Sequence, residues 1–307
     1  MGLLKALTRK RNTKGSLGPV ERSIGYLQGG YKDTTIHSKV QLFNTTTQVG
    51  QIVYDTGYQR SYRPGVSGSY NGYFSISDTI AYNKFNYITA SASASFSTAR
   101  HPNVTVSDLN VYSQAWILAT INPAIQASID GDWYKVDLAT DTPSSQGLIS
   151  STPYGSTRQG MSTGIAGFFS TPANVACYSF NFTTKAFTGL AGPAELDSNI
   201  QIPCGMSVSN TVGYMVGYNG RNVRLNVLES TIQSYAVATP YSYHFGESHA
   251  LANTNYGFMM AGYSDTTGRY GGTQHGLCQR IQFATEAIAT LPDLVLPQSS
   301  GQMMQGF

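Results

Sequence analysis

Three residues within a stretch of six, His244, Glu247 and His249, carry the side chains in this sequence that are best suited to bind a metal ion. Two imidazoles and a carboxylate are a common donor set for zinc, and the same groups could serve acid–base chemistry in a hydrolase. On a strand, Glu247 and His249 would share one face and His244 would point to the other. The stretch also coincides with a turn and a strand that recur along the chain. We therefore expect a structural role, and predict neither a metal nor another cofactor.

A second acidic motif, Asp130-Gly131-Asp132, could contact a calcium ion but lacks the remaining acidic positions of a calcium-binding loop. A hairpin turn in which Gly131 adopts a positive φ is the simpler interpretation.

The sequence contains no Gly-x-Ser-x-Gly elbow, no P-loop and no dinucleotide-binding fingerprint, although it has 32 glycines. The three other histidines, at positions 37, 101 and 275, have no acid or nucleophile at a meaningful spacing. We predict that the protein is not an enzyme. A hydrolase that uses His244 and Glu247 remains an alternative hypothesis.

The N-terminal segment is basic and partly apolar, and is a candidate for binding a partner. All five of its charged residues are basic and precede the first acidic residue, Glu21, whereas the rest of the chain has 14 basic and 16 acidic residues. Such an arm could contact nucleic acid, dock into an acidic groove of a protein, or remain solvated. We favour docking to a protein and do not expect nucleic acid, because the leucines add apolar anchors. The residues assigned to this contact are Leu3, Leu4, Lys5, Leu7, Arg9, Lys10, Arg11 and Lys14.

Aromatic side chains are abundant, with 21 tyrosines and 13 phenylalanines, and tyrosine rings can stack on sugars. Most of them recur at fixed positions in predicted strands, where core packing accounts for them. The tyrosines in predicted loops remain as candidate glycan contacts: Tyr58, Tyr62, Tyr154, Tyr241 and Tyr270.

A short run that combines glycines and aromatic residues recurs six times and organises the chain. The first aromatic residue of each run lies at Tyr26, Tyr73, Trp116, Phe168, Tyr214 and Phe258, so the steps range from 43 to 52 residues. A period of this length indicates an array of repeats. Only 11% of the residues are charged, and Gly, Tyr, Ser and Thr are frequent, which favours an all-β fold.

A second segment follows each run, with an apolar residue, then Asn, Asp or Gln, and usually a closing Thr, as in Phe43-Asn-Thr-Thr-Thr47 and Phe180-Asn-Phe-Thr-Thr184. Its alternation predicts a half-buried strand. A third strand follows in several repeats, for example at 50–54. The fourth is expected between a turn and the next glycine-aromatic run. These turns are predicted at residues 63–65, 100–103, 158–160, 203–205, 244–246 and 299–301.

Each end of the repeat array contains one segment that lacks a neighbouring strand. The segment after Gly301 has no downstream partner, and the run at Tyr26 has no apolar strand before it. We therefore predict that residues 301–307 return to pair beside residues 25–30, which would remove two open sheet edges. The predicted fold is all-β: a six-bladed β-propeller of four-stranded antiparallel blades, closed by the C-terminal strand. Residues 1–20 would form the basic arm and residues 21–307 the propeller.

The pair Gly29-Gly30 and the aromatic residue after it resemble kelch repeats. The motifs Gly72-Tyr-Phe74, Gly213-Tyr-Met-Val-Gly217 and Phe180-Asn-Phe-Thr-Thr184 are more similar to the degenerate kelch-like propellers of tailed-bacteriophage virion proteins. This resemblance implies a structural protein of a tail, neck or fibre, and it transfers no catalytic residue.

The functional prediction is a non-enzymatic virion structural protein that docks through its arm to other tail or neck proteins. We expect several copies per particle, synthesis in the host cytoplasm and no membrane insertion, because no apolar run approaches bilayer length. The alternative is a carbohydrate-binding module that recognises the host surface through propeller loops. Three cysteines, Cys177, Cys204 and Cys278, are interpreted as buried thiols.

Overall fold

The computed structural model describes residues 24–32, 35–58, 65–68, 70–76, 81–98, 101–107, 114–120, 132–148, 161–162, 166–171, 176–190, 204–207, 212–216, 222–226, 231–235, 249–260, 263–264, 273–274, 278–292 and 302–306. Every regular element within these ranges is a β-strand, and they contain no helix. A membrane-crossing helix is accordingly not found among them. The predicted arm lies outside the described residues.

The strands are short and are numbered in chain order. The first group comprises β1 (Ile24–Gln28), β2 (Tyr31–Lys32), β3 (Thr35–Ile36), β4 (Lys39–Asn44), β5 (Val49–Asp55), β6 (Val66–Ser67), β7 (Asn71–Ser75), β8 (Ala81–Asn86) and β9 (Ser91–Ser97). The second comprises β10 (His101–Ser107), β11 (Gln114–Thr120), β12 (Asp132–Asp137), β13 (Thr142–Leu148), β14 (Met161–Ser162), β15 (Ala166–Thr171), β16 (Ala176–Asn181) and β17 (Phe187–Leu190). The third comprises β18 (Cys204–Ser207), β19 (Val212–Val216), β20 (Asn222–Asn226), β21 (Thr231–Tyr235), β22 (His249–Ala252), β23 (Tyr256–Met260), β24 (Tyr263–Ser264), β25 (Thr273–Gln274), β26 (Cys278–Gln282), β27 (Ile288–Leu291) and β28 (Gln302–Gly306).

Among the described residues, the strands form six four-stranded antiparallel sheets, numbered here in chain order. The strand orders are β28-β1-β4-β5 in sheet 1, β6-β7-β8-β9 in sheet 2, β10-β11-β12-β13 in sheet 3, β14-β15-β16-β17 in sheet 4, β18-β19-β20-β21 in sheet 5 and β22-β23-β26-β27 in sheet 6. Two-stranded hairpins, β2-β3 and β24-β25, lie between the second and third strands of sheets 1 and 6. The all-β prediction is confirmed.

The first strand of sheet 1 comes from the C-terminal part of the chain. β28 pairs antiparallel with β1, and the register places Met304 opposite Tyr26. The pairing that the sequence predicts between these two segments is therefore present.

Because neighbouring strands are antiparallel, each sheet has two different ends. The connections from first to second strand and from third to fourth strand leave from one end, which we call the turn end. The connections from second to third strand, and from one sheet to the next, leave from the opposite loop end. The longer connections all belong to the loop end, as with the β24-β25 hairpin between Met260 and Cys278.

The turn between the third and fourth strands has the same construction in at least five sheets. Its first position is Asn44, Asn86, Asp137, Asn181 or Gln282, and its fifth position has a positive φ of 49° to 61° although it is never glycine. The fifth residues are Gln48, Ala90, Asp141, Lys185 and Glu286. In the first four turns, the side-chain oxygen of position one accepts hydrogen bonds from the backbone N–H groups of positions three and four.

This turn corrects the strand prediction for the Asn-x-x-Thr segments. The strand ends at the Asn or Asp, and the following residues form the turn, so the last three positions of Phe43-Asn-Thr-Thr-Thr47 are not in a strand. The alternating burial continues into the turn, since Phe43 and Thr45 are buried on either side of Asn44. That continuation is why the periodicity resembled a longer strand.

The turn predicted at residues 100–103 is also wrong. Residues from His101 onward belong to β10, and the register shifts between Pro102 and Val104. The extra residue is a β-bulge, which accommodates a proline that cannot donate to the ladder.

The hydrophobic core lies between consecutive sheets. Separate clusters of buried side chains join sheets 1 and 2, sheets 2 and 3, sheets 5 and 6, and sheets 6 and 1. Between sheets 3 and 4, the rings of Trp133 and Phe180 meet edge to face with centroids 4.9 Å apart. The first strands contact one another in the order β28, β6, β10, β14, β18, β22 and β28 again.

Glycine at the second strand makes room for a side chain from the sheet before it. A Cβ on Gly25 would overlap Cδ2 of Leu251 in sheet 6, and a Cβ on Gly257 would overlap Sδ of Met206 in sheet 5. In sheet 3 the equivalent residue is Ala115, which shares a cluster with the smaller Val66 of sheet 2. The glycines thus act in packing, as the sequence predicts.

The predicted core aromatic residues Tyr26, Tyr73, Phe168, Tyr214 and Phe258 are all buried. The Cys278 side chain is a buried thiol, as predicted. The side chains of Trp116, Cys177 and Cys204 lie outside the described set.

Candidate functional site

Few of the predicted site residues fall in the described part of the chain. The arm residues Leu3, Leu4, Lys5, Leu7, Arg9, Lys10, Arg11 and Lys14 lie outside it, as do the tyrosines at positions 62, 154, 241 and 270. Tyr58 is described: it lies three residues beyond the end of β5, and it is 43% exposed.

The metal-binding candidates are also mostly outside it. His249 begins β22, where its backbone pairs with Met260, and His244 and Glu247 are not described. The motif at Asp130-Gly131 is likewise outside, and Asp132 begins β12. Within the described ranges no group of three His, Cys, Asp or Glu side chains could hold a metal ion.

The best-defined polar cluster surrounds Asp55 at the loop end of sheet 1. Its carboxylate accepts hydrogen bonds from the Lys39 ammonium, the Ser38 hydroxyl and, at 3.0 Å, the backbone N–H of Gly57. These donors, with Lys39 the strongest influence, lower the pKa of Asp55 to about 2. Both members of the Lys39–Asp55 pair are partly exposed, at 40% and 47%. The pair orders the chain locally and adds little to overall stability.

Hydrogen bonds at the same loop end of sheet 1 fix the backbone of Tyr58. The amide of Gln28, which is fully buried, donates to the Tyr58 backbone oxygen at 3.3 Å and to Oγ1 of Thr56 at 3.4 Å. The hydroxyl of Thr56 donates to the Ser38 backbone oxygen and accepts from the Tyr58 backbone N–H. The backbone at Tyr58 is therefore fixed while its ring faces solvent.

This arrangement suits contact with a ligand better than catalysis. An exposed aromatic ring on a fixed backbone, flanked by a cation and a carboxylate that neutralise each other, can stack on and hydrogen-bond a neutral partner. Asp55 is held in its ionised form and already accepts three hydrogen bonds. It is thus poorly suited to act as a general acid or base near neutral pH.

The carboxylates at the turn ends also serve the fold. Asp137 accepts two backbone hydrogen bonds in its own turn. Asp141 accepts the Tyr73 hydroxyl at 2.8 Å and pairs with Lys84 of sheet 2. Glu286 accepts the Tyr214 hydroxyl of sheet 5 at 2.8 Å. Each acidic side chain described at a turn end is thus occupied by a structural contact.

These inter-sheet hydrogen bonds were not predicted from the sequence. The tyrosine comes from a glycine-aromatic run, and its acceptor lies in the turn of the next sheet, 61 to 72 residues later. A signal does exist: Asp141 and Glu286 occupy turn position five in the two sheets that follow Tyr73 and Tyr214. In sheet 2, which follows the sheet of Tyr26, turn position five is Ala90, which has no side-chain acceptor. The Tyr26 hydroxyl donates instead to the Tyr87 backbone oxygen at 3.2 Å.

No protein-family model and no curated protein sequence matches this chain. Its fold is similar to that of the solved structure of TolB from Acinetobacter baumannii, with a TM-score of 0.56 and 13% sequence identity. The alignment covers 92% of this chain and 66% of the TolB chain, so this chain spans slightly less than two thirds of that protein. In all, 1079 chains of solved structures match, so the fold alone selects no function. The likeness shows a propeller-like all-β fold.

Proposed function

We propose that the chain is a closed six-bladed propeller that serves as a non-enzymatic structural and binding module. The order of contacts among the first strands, the core between sheets 6 and 1, and the pairing of β28 with β1 support a closed ring. Such a ring has no free first or last sheet, so it offers a rigid body on which the loop and turn ends can bind partners.

The observation that carries the non-enzymatic assignment is the use of charged side chains within the fold. Asp55, Asp137, Asp141 and Glu286 each accept hydrogen bonds from neighbouring turns, strands or sheets. The exposed residues at turn positions three and four are neutral in the five described turns, and position four is a threonine in all five. A neutral, hydroxyl-rich surface suits lasting contact with other proteins.

The role proposed for this module is that of a bacteriophage virion protein of the tail, neck or fibre, present in several copies and held by its N-terminal arm. The motif resemblance and the separation of charge between arm and body support it. The test is to produce particles with a variant lacking residues 1–18. We expect the variant to fold with an unchanged circular dichroism spectrum and to be missing from purified particles. Normal incorporation would contradict docking through the arm.

The second candidate is recognition of a host-surface glycan by the loop end. It is favoured by Tyr58, whose exposed ring sits on a backbone fixed by Gln28 and Thr56. On a glycan array, the intact protein should bind a defined sugar class and Tyr58→Ala should lose that signal. Tyr70→Ala, which alters an exposed tyrosine at the turn end, is the matched control and should bind normally.

A further inference from the structure

Large apolar side chains are exposed at the turn ends of sheets 1 and 2. Val49, Tyr70 and Ile88 are 57%, 60% and 45% exposed, and we call them the turn-end patch. Tyr70 and Ile88 are neighbours, because the backbone N–H of Tyr87 donates to the Tyr70 backbone oxygen at 3.0 Å. Val49 lies at the turn end of sheet 1. This sheet is adjacent to sheet 2, because the hydroxyl of its Tyr26 donates to the Tyr87 backbone oxygen.

The repeats themselves show that the fold does not require apolar residues at these positions. Where sheet 1 has Val49, the other described turns have Ser91, Thr142, Ala186 and Ala287. Where sheet 2 has Ile88, they have Thr46, Ala139, Thr183 and Ala284. In sheet 6, the position equivalent to Tyr70 is occupied by Asn255, whose backbone oxygen accepts a hydrogen bond from the Phe283 N–H. Because the same backbone geometry is built with small or polar residues elsewhere, the turn itself does not require the apolar side chains found here.

The N-terminal segment joins the body at this same place. The chain enters β1 at Ile24, which pairs with Asn44, and Asn44 pairs with Val49. Two strand spacings separate Ile24 from Val49, a distance of about 10 Å. The sixteen residues from 8 to 23 could span up to roughly 55 Å, so Leu3, Leu4 and Leu7 can reach every member of the turn-end patch.

We propose that the N-terminal segment binds the turn-end patch of its own molecule through Leu3, Leu4 and Leu7. Attachment within one chain gives the leucines a local concentration in the millimolar range, which favours the patch of the same molecule over that of another copy. The described turn residues beside the patch, 44–48 and 86–90, are neutral, so they do not repel the basic residues of the segment. The contact is a resting position: a partner that displaces the segment gains access to the leucines and to the patch together. It does not depend on the virion role proposed above.

The test uses the full chain and measures how fast trypsin cleaves after Lys5 and Arg9 under native conditions, by mass spectrometry. The patch variant carries Val49→Ser, Tyr70→Asn and Ile88→Thr, which are residue types that the fold already uses at equivalent positions. The arm variant carries Leu3→Ser, Leu4→Ser and Leu7→Ser. Loss of the apolar contact should raise the cleavage rate about tenfold in either variant. Combining the two sets should raise it no further. Tyr58→Asn, at the loop end, should leave it unchanged.

Equal cleavage of the patch variant and the unchanged chain would overturn the proposal, and so would additive effects of the two sets. A cleavage rate that decreases as the protein concentration increases, together with a dimer in sedimentation velocity, would mean that the patch binds the segment of a second copy. That result would overturn the same-molecule contact. An unchanged urea unfolding midpoint of the patch variant shows that its fold is intact. Particle incorporation is a separate readout, so failure of the virion role would leave this result standing.

Discussion

The hydroxyl of Tyr73 in sheet 2 donates to Oδ1 of Asp141 in sheet 3 at 2.8 Å, across 68 residues of chain. It also lies 3.1 Å from the Leu138 backbone oxygen, and Lys84, the cross-strand neighbour of Tyr73, pairs with the other carboxylate oxygen. Two adjacent sheets are thus joined by a buried hydroxyl as well as by their apolar core. Tyr214 and Glu286 repeat the contact between sheets 5 and 6.

Tyr73→Phe should lower the free energy of unfolding by about 1–3 kcal/mol, because it removes the buried donor to Oδ1 of Asp141 and to the Leu138 carbonyl. Urea unfolding followed by circular dichroism measures this. Tyr26→Phe is the comparison, since it removes a hydrogen bond to one neutral carbonyl, and its loss should be nearer 1 kcal/mol. Equal losses would show that the carboxylate contact adds nothing.

Alkaline pH should weaken the fold through the same tyrosines. Burial raises the pKa of Tyr26 to about 12, and burial, followed by the hydrogen bond to Asp141, raises the pKa of Tyr73 further. An unfolded tyrosine titrates near pH 10, so above that pH the unfolded chain loses protons that the folded chain keeps. The stabilisation is complete below pH 10 and declines as the pH rises toward 12. Urea midpoints between pH 8 and 11.5 should fall, and Tyr26→Phe should flatten that decline.

Gly25→Ala tests the packing of sheet 1 against sheet 6. The added methyl group would overlap Leu251, and overpacking of this kind costs about 1–3 kcal/mol. Sheets 2 and 3 tolerate an alanine, Ala115, where the opposing residue is the smaller Val66. Adding Leu251→Val should therefore recover much of the loss from Gly25→Ala. If the two substitutions destabilise additively, the two residues do not meet as described.

Gln279 should be replaceable by an apolar residue with a gain in stability. It is fully buried between strands of sheet 6, and in the described part of the chain neither atom of its amide group has a hydrogen-bond partner. Since an unpaired buried amide costs roughly 1–3 kcal/mol, Gln279→Met should raise the free energy of unfolding by about 1 kcal/mol. Thermal unfolding measures the change. A loss of stability would mean that the amide binds a group, such as a buried water, that its replacement cannot hold.

The features that the sequence predicted are those in which burial and periodicity coincide. The glycine-aromatic runs indicated the second strands because side chains such as Phe258 are buried there and their neighbours are small. The pairing of β28 with β1 followed from counting an unmatched strand at each end of the array.

Other features depend on conformations and contacts that residue type reports weakly. Gln48 and Ala90 adopt a left-handed conformation that is usually signalled by glycine or asparagine, so the turns looked like longer strands. The bulge after Pro102 preserves a strand across residues that normally indicate a turn. The hydrogen bond from Tyr73 to Asp141 depends on the register between two sheets, which periodicity within one repeat does not contain.

Candidate sites were the least predictable part. Tyr58 was identified as a loop tyrosine, but the fixed backbone beneath it depends on Gln28, which looked like an ordinary strand residue. The turn-end patch became visible only when equivalent turn positions could be compared between sheets.

The closed ring that we propose depends on the pairing of β28 with β1, and a cross-link between these strands tests it most directly. Ile24 and Gly306 are opposite one another in the register. In the Ile24→Cys/Gly306→Cys protein, oxidation under native conditions should give a peptide that links positions 24 and 306 within one monomer, and the unfolding midpoint should rise. Each single substitution is the control for pairing with the native cysteines. Absence of the 24–306 link in the folded protein, or its appearance only between two molecules, would contradict the closed ring.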